Sequence, residues 1–191
     1  MFQGRDIACD RGERRIFSGL DFQVSPGQAL VLRGPNGCGK TTLLRTAATL
    51  LKAAAGKLTW NGADIAEDPE EHRARLHFIG HQDAVKGALT VRENIAVWAK
   101  VRGATEDRIE AAMSAFDIAH LTDTPAQYLS AGQHRRTALA RLVASPAALW
   151  LLDEPTVSLD ADGTACLQRA IAAHRADKGM VMAATHIELG L

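Results

Sequence analysis

The sequence predicts an α/β fold carrying a helical insertion. Three observations lead there. Short apolar runs of strand length occur up to about Ile79 and return after Pro146. The stretch between them, from about Thr90 to Ser145, has helical texture. One strand-like run leads directly into a glycine-rich segment that opens a helix. The 191 residues suit one domain with a sizeable core. At 47% hydrophobic and 23% charged, the chain falls outside the disordered and low-complexity classes.

Taken in order, Ile16-Phe17 and Leu20 to Val24, the latter with period-two alternation, read as short strands closed by a turn at Ser25-Pro26-Gly27. Ala29 to Leu32 is a continuous apolar strand. Lys40 to Ala55 reads as a helix ended by Gly56. Leu58 to Trp60 precedes Asn61-Gly62, a hairpin turn, and Leu76 to Ile79 is the next strand. Thr90 with Glu93, and Ser130 with Gln133, have the spacing of capping boxes opening two helices. Leu149 to Leu152 forms a strand, a helix runs from about Asp160 to Arg175, and Met180 to Ala183 is the last strand.

Charge narrows the function classes. Twenty-two basic residues balance twenty-two acidic ones, so the chain has no general attraction for nucleic acid or anionic lipid, and an anion must be held at a local site. Three cysteines, far apart and without a C-x-x-C pair, indicate neither a disulfide framework nor a zinc site and fit a reducing compartment. The N-terminus has no apolar signal region. The longest apolar run, Ala147 to Leu152, is far short of a membrane span. The expectation is a soluble cytoplasmic protein, with no nucleic-acid partner, that reaches a membrane only by docking on another protein.

Three motifs carry chemistry. Gly34-Pro35-Asn36-Gly37-Cys38-Gly39-Lys40-Thr41 matches the P-loop pattern G-x-x-x-x-G-K-[ST], with Thr42 following. Its glycines let backbone N–H groups surround a phosphate, and the helix N-terminus adds partial positive charge. Lys40 is expected on the β- and γ-phosphates and the Thr41 hydroxyl on Mg²⁺. Ala148 to Glu154 is an apolar strand ending in two acids, the Walker B pattern. Asp153 is expected to hold Mg²⁺ and Glu154 to polarise the attacking water as general base. Leu129-Ser130-Ala131-Gly132-Gln133 places an exposed helix N-terminus, capped by Ser130, where small residues let a second phosphate approach the backbone.

In that order and spacing the motifs resemble those of ABC ATPases, Leu129 to Gln133 being similar to the L-S-G-G-Q signature with Ala131 in place of one glycine. The resemblance runs from about Ile7 to His186. It implies a P-loop NTPase of the ABC ATPase fold, with an N-terminal antiparallel β subdomain and a helical signature subdomain. Residues 1–85 and 146–191 would form the core with its β subdomain, and 86–145 the helical part of one nucleotide-binding domain. It also implies roles for Gln82, which would contact Mg²⁺ and water, for a D-loop at Ser158-Leu159-Asp160, and for His186 as the switch histidine on the γ-phosphate. The family usually stacks an aromatic residue on adenine upstream of the P-loop. Here that register falls near Arg11, whose guanidinium can also lie on a base face.

Gly80-His81-Gln82 followed by Lys86, Leu89-Thr90, Glu93-Asn94, Tyr128 to Gln133 with Arg135-Arg136, Leu149 to Pro155, and Ala184-Thr185-His186 resemble more closely the ATP-binding subunits of cytochrome c maturation heme exporters. That resemblance implies ATP and Mg²⁺ as cofactors, a homodimer when ATP is bound, and integral membrane subunits as partners at the cytoplasmic side of the inner membrane. The alternatives are an ATPase subunit for another transported substrate, or a non-transport ABC ATPase.

Overall fold

The computed structural model describes residues 1–187, 189 and 190; Glu188 and Leu191 lie outside the described residues. Two four-stranded sheets organise the chain. In the antiparallel one, β1 (Phe2–Arg11) lies between β2 (Arg14–Val24) and β4 (Ala55–Trp60), and β4 continues through a hairpin into β5 (Ala63–Asp64). The other is parallel, with β3 (Ala29–Leu32), β8 (Met180–Ala184), β7 (Leu149–Asp153) and β6 (Leu76–Ile79) side by side in that order.

Strand β7 has partners on both edges and helices on both faces, so every one of its residues is buried and its sequence is apolar from Leu149 to Leu152, before Asp153. Alternation still sorts its side chains. Leu149 and Leu151 join Met180 and Met182 in a core shared with α1 (Lys40–Ala47) and the inner face of β1. Trp150 and Leu152 join Val181 and Ala183 in a second core under α3 (Val91–Val101), α4 (Glu106–Ala115), α5 (Ala131–Ala144) and α6 (Ala161–Ala176). A short helix, α2 (Pro69–Ala74), precedes β6. Both expected capping boxes form, at Thr90–Glu93 and Ser130–Gln133.

Three sequence expectations need correction. The strand Phe2–Arg11 was not anticipated, because register shifts after Gly4, Ile7 and Cys9 break its period-two pattern while Phe2, Ile7, Ala8 and Cys9 are buried. The two short strands expected between Ile16 and Val24 are one strand from Arg14. The helix expected from Lys40 to Ala55 stops at Ala47. Thr49 turns to φ 57°, the Leu50 and Leu51 N–H groups both return to the Arg45 carbonyl (2.8 and 3.2 Å), and Ala54 N–H bonds Ala8 O at 2.8 Å. Ala55 and Gly56 then enter β4. Pairing with β1 overrides the helix propensity of the alanines.

His77, on β6, is buried with its Nε2 against the Ser145 carbonyl (3.0 Å) and hydroxyl (2.9 Å). Burial, reinforced by the nearby charge of Arg102, pushes its pKa down to about 3. Between about pH 6.5 and that value the unfolded chain binds a proton that the folded chain refuses, so stability falls as pH falls, by at most about 1.4 kcal/mol per unit. Denaturant titrations at pH 7 and pH 5 are therefore expected to show the wild type losing about 1–2 kcal/mol more than His77→Gln. Equal losses would contradict a neutral buried His77.

Candidate functional site

Parallel pairing of β3 with β8, and of β8 with β7, brings the carboxyl ends of these strands to one rim of the sheet. The glycine-rich loop leaves β3 there, Asp153 and Glu154 end β7 there, and Thr185-His186 follow β8 there. Between them lies a cavity of about 650 Å³ whose wall includes Arg11, Asn36, Lys40, Thr41, Asp153 and Glu154.

The loop forms a cradle. Gly39 is the N-cap of α1 at φ 107°, with no capping side chain and no acid in the first turn, so the first N–H groups of α1 remain available to an anion. A Cβ at Gly39 would stand 2.7 Å from Ile16 Cγ2 and 2.9 Å from the Phe17 ring, so β2 packs where only glycine fits. Lys40 Nζ donates to the Gly34 carbonyl (2.7 Å) and the Pro35 carbonyl (3.2 Å), closing the loop over its own cation. Pro35, Asn36, Gly37 and Cys38 are exposed, whereas Cys9 and Cys166 are buried.

The Thr41 hydroxyl donates to Asp153 Oδ1 at 3.0 Å, and Asp153 is buried. These hard oxygen donors fit a small divalent cation that takes its remaining ligands from phosphate and water. Among the described residues no group of three or more histidines, cysteines or acids could hold a metal alone. Glu154 stands at φ 46°, a left-handed conformation, and its carboxylate lies 3.4 Å from His186 Nε2. The same nitrogen is 3.3 Å from Asn36 Oδ1. His186 thus bridges the loop and the acid.

The remaining expected residues lie apart from the cavity. Gln82 is exposed on the segment after β6 and does not line it. Ser130 and Ala131 are exposed at the start of α5, where Ser130 Oγ accepts from Gln133 N–H (3.2 Å) and Ser130 N–H donates to Gln133 Oε1 (3.0 Å). Leu129 packs on the core beneath. Gly132 lies close to Ser158: a Cβ there would meet the Ser158 carbonyl at 3.1 Å. Leu159 packs on the core, and Asp160 caps α6 through Gly163 N–H (2.8 Å) while receiving Arg136 (2.6 Å). The Arg136 hydrogen bond, then that of Gly163 N–H, holds the Asp160 carboxyl below its ordinary range. Sequence reasoning gave no role to Asp83, His134 or Arg135, whose partners are remote in sequence; a charged pair, Arg135-Arg136, inside an otherwise buried helix was the available signal.

A glycine-rich cradle that meets an acid, a hydroxyl and a histidine at the rim of a parallel sheet has the layout of a P-loop nucleotide site. Residues 17–157 match the family model described as ABC transporter. The chain is 53% identical over 191 residues, all of it and 82% of the relative, to the cytochrome c biogenesis ATP-binding export protein CcmA of Rhodospirillum rubrum. It is 50% identical over 194 residues, covering 100% of this chain and 89% of the relative, to the protein of the same name from Paramagnetospirillum magneticum. A solved dimeric ATP-binding cassette, in a post-hydrolysis state with ADP and Pi, shares the fold with a TM-score of 0.85 at 21% identity, over 98% of this chain and 88% of that one. The chain belongs to the ABC transporter family, as an ATP-binding subunit of CcmA type, and is an ATPase.

Gly39→Ala is expected to lose about 1–3 kcal/mol of stability from left-handed strain, besides the steric conflict with β2. Calorimetric ATP binding should be lost with it, at a temperature where the variant is still folded. Wild-type affinity would show that the cradle is not where ATP binds.

Proposed function

We propose that this chain is the ATP-binding and hydrolysing subunit of an ABC complex of cytochrome c biogenesis, acting in heme export across the inner membrane or in ATP-driven release of heme from a partner. The single observation that carries the catalytic reading is the meeting, at one rim, of the Lys40 cradle, the Thr41–Asp153 pair and the Glu154–His186 pair. The biological setting follows the CcmA relatives. Cargo choice lies with the membrane subunits.

In the mechanism, Lys40 exchanges its own loop carbonyls for the β- and γ-phosphate oxygens, while Gly34 to Thr42 wrap the phosphates with N–H groups. Thr41, Asp153 and Gln82 would hold Mg²⁺, which would supply positive charge against the phosphates. Glu154 takes the proton of the attacking water. His186 donates to the γ-phosphate, and Arg11 lies over the adenine face.

Residues 1–85 and 146–191 act as the nucleotide-binding core with its β layer, and 86–145 as the helical subdomain. The exposed Ser130 end of α5 does not line the cavity of its own chain. It meets the cavity of a second copy: each ATP is closed between the cradle of one subunit and Leu129 to Gln133 of the other, with Ser158, Leu159 and Asp160 at the contact. ATP thereby holds the homodimer together and hydrolysis loosens it. No helix among the described residues is long and apolar enough to cross a membrane. In this reading, which follows the CcmA relatives, integral membrane subunits hold the dimer at the cytoplasmic face.

Glu154→Gln is expected to bind ATP normally, hydrolyse it about 10²–10⁴-fold more slowly, and remain dimeric by light scattering as long as ATP is present. Normal turnover in that variant would remove Glu154 as the base.

A further inference from the structure

Arg135 is a buried cation on α5, only 3% exposed, and its guanidinium is used on every side. Nη2 donates to the Glu154 carbonyl (2.9 Å) and Nε to the Pro155 carbonyl (3.1 Å). Nη1 donates to the Gly80 carbonyl (3.1 Å) and to the Asp83 carboxylate, which also faces His134 Nδ1 at 3.0 Å. One side chain therefore grips both carbonyls of the Glu154–Pro155 turn and both flanks of the segment that carries Gln82.

The conformation it grips is an unusual one. Glu154 is a non-glycine residue at φ 46°, a backbone state that persists only where its surroundings impose it. On one side the Glu154 N–H is fixed to the Ala184 carbonyl of β8 at 2.8 Å. On the other, the carbonyls of Glu154 and Pro155 have Arg135. Release of that second hold would let the peptide rotate toward negative φ, and the carboxylate would swing away from His186 and the cavity.

We infer that Arg135 is a positioning residue for hydrolysis: it sets the backbone of Glu154 and ties that setting to the position of residues 80–83. The inference rests on the reading of Glu154 as the base. Arg135 does not line the cavity and acts through Glu154. Its grip also means that a displacement of the Gln82 segment reaches the base through two hydrogen-bonded carbonyls, independently of the nucleotide.

The test is a double-mutant cycle on steady-state and single-turnover ATP hydrolysis, with Arg135→Ala, Glu154→Gln and the double variant, alongside ATP affinity and thermal unfolding. Arg135→Ala is expected to lower kcat about 10- to 100-fold with KM for ATP within about twofold, the cost of a misplaced group rather than of lost binding. In the Glu154→Gln background the same substitution should change the residual rate by less than about twofold. Equal losses in both backgrounds, or an unchanged kcat in folded Arg135→Ala, would overturn the inference. If the alanine variant fails to fold, Arg135→Lys, which keeps the charge and fewer donors, is expected to show a smaller kcat loss with the same non-additivity; additive behaviour there overturns it equally. The Glu154→Gln arm reads the base assignment separately, since full activity in that single variant would sink the base while leaving the Arg135 effect measurable.

Discussion

The hydrogen bond from the Thr41 hydroxyl to the Asp153 carboxylate joins the first turn of α1 to the end of β7, across 112 residues of sequence. The rest of the site depends on it. It can form only because β3, β8 and β7 run parallel, in register, and stop at the same level, so that a helix springing from β3 begins above the acid that ends β7. The cradle, the acid pair and His186 follow three adjacent strand ends.

Much of this was legible in the sequence where the chemistry is local. The glycine-rich loop, the acid pair after an apolar strand and the two capping boxes are each written within a few consecutive residues; in the structure the loop joins β3 to α1, the acids end β7 and both capping boxes form. What could not be read depends on distant partners. The bulged β1 hides its alternation, and the early end of α1 is imposed by Ala54 pairing with Ala8. Arg135 sits in plain view beside the signature motif, but its partners at Gly80, Asp83, Glu154 and Pro155 come together only in three dimensions.

The two helix starts that the proposal assigns to phosphate lie apart within the chain. One is the cradle, where α1 starts on a bare glycine cap; the other is the capped, exposed start of α5, which lies outside the cavity wall. A phosphate needs opposed donors to be fully desolvated, and a single chain offers only half at each place. The proposed pairing of two copies resolves this. The segment from Ser158 to Asp160, with Asp160 anchored by Arg136 and Ser158 against Gly132, is built closely around the start of α5.

The most direct measurement of that arrangement exploits the exposed thiol of Cys38 in the cradle, since Cys9 and Cys166 are buried. With Ala131→Cys placed at the start of α5, brief oxidation in the presence of ATP should join two chains through Cys38 of one and the new cysteine of the other, giving a covalent dimer on a non-reducing gel. Without nucleotide, or with Cys38→Ser, that dimer should be absent. A cross-link that forms equally with and without ATP, or none at all while ATP is bound, would contradict the shared site.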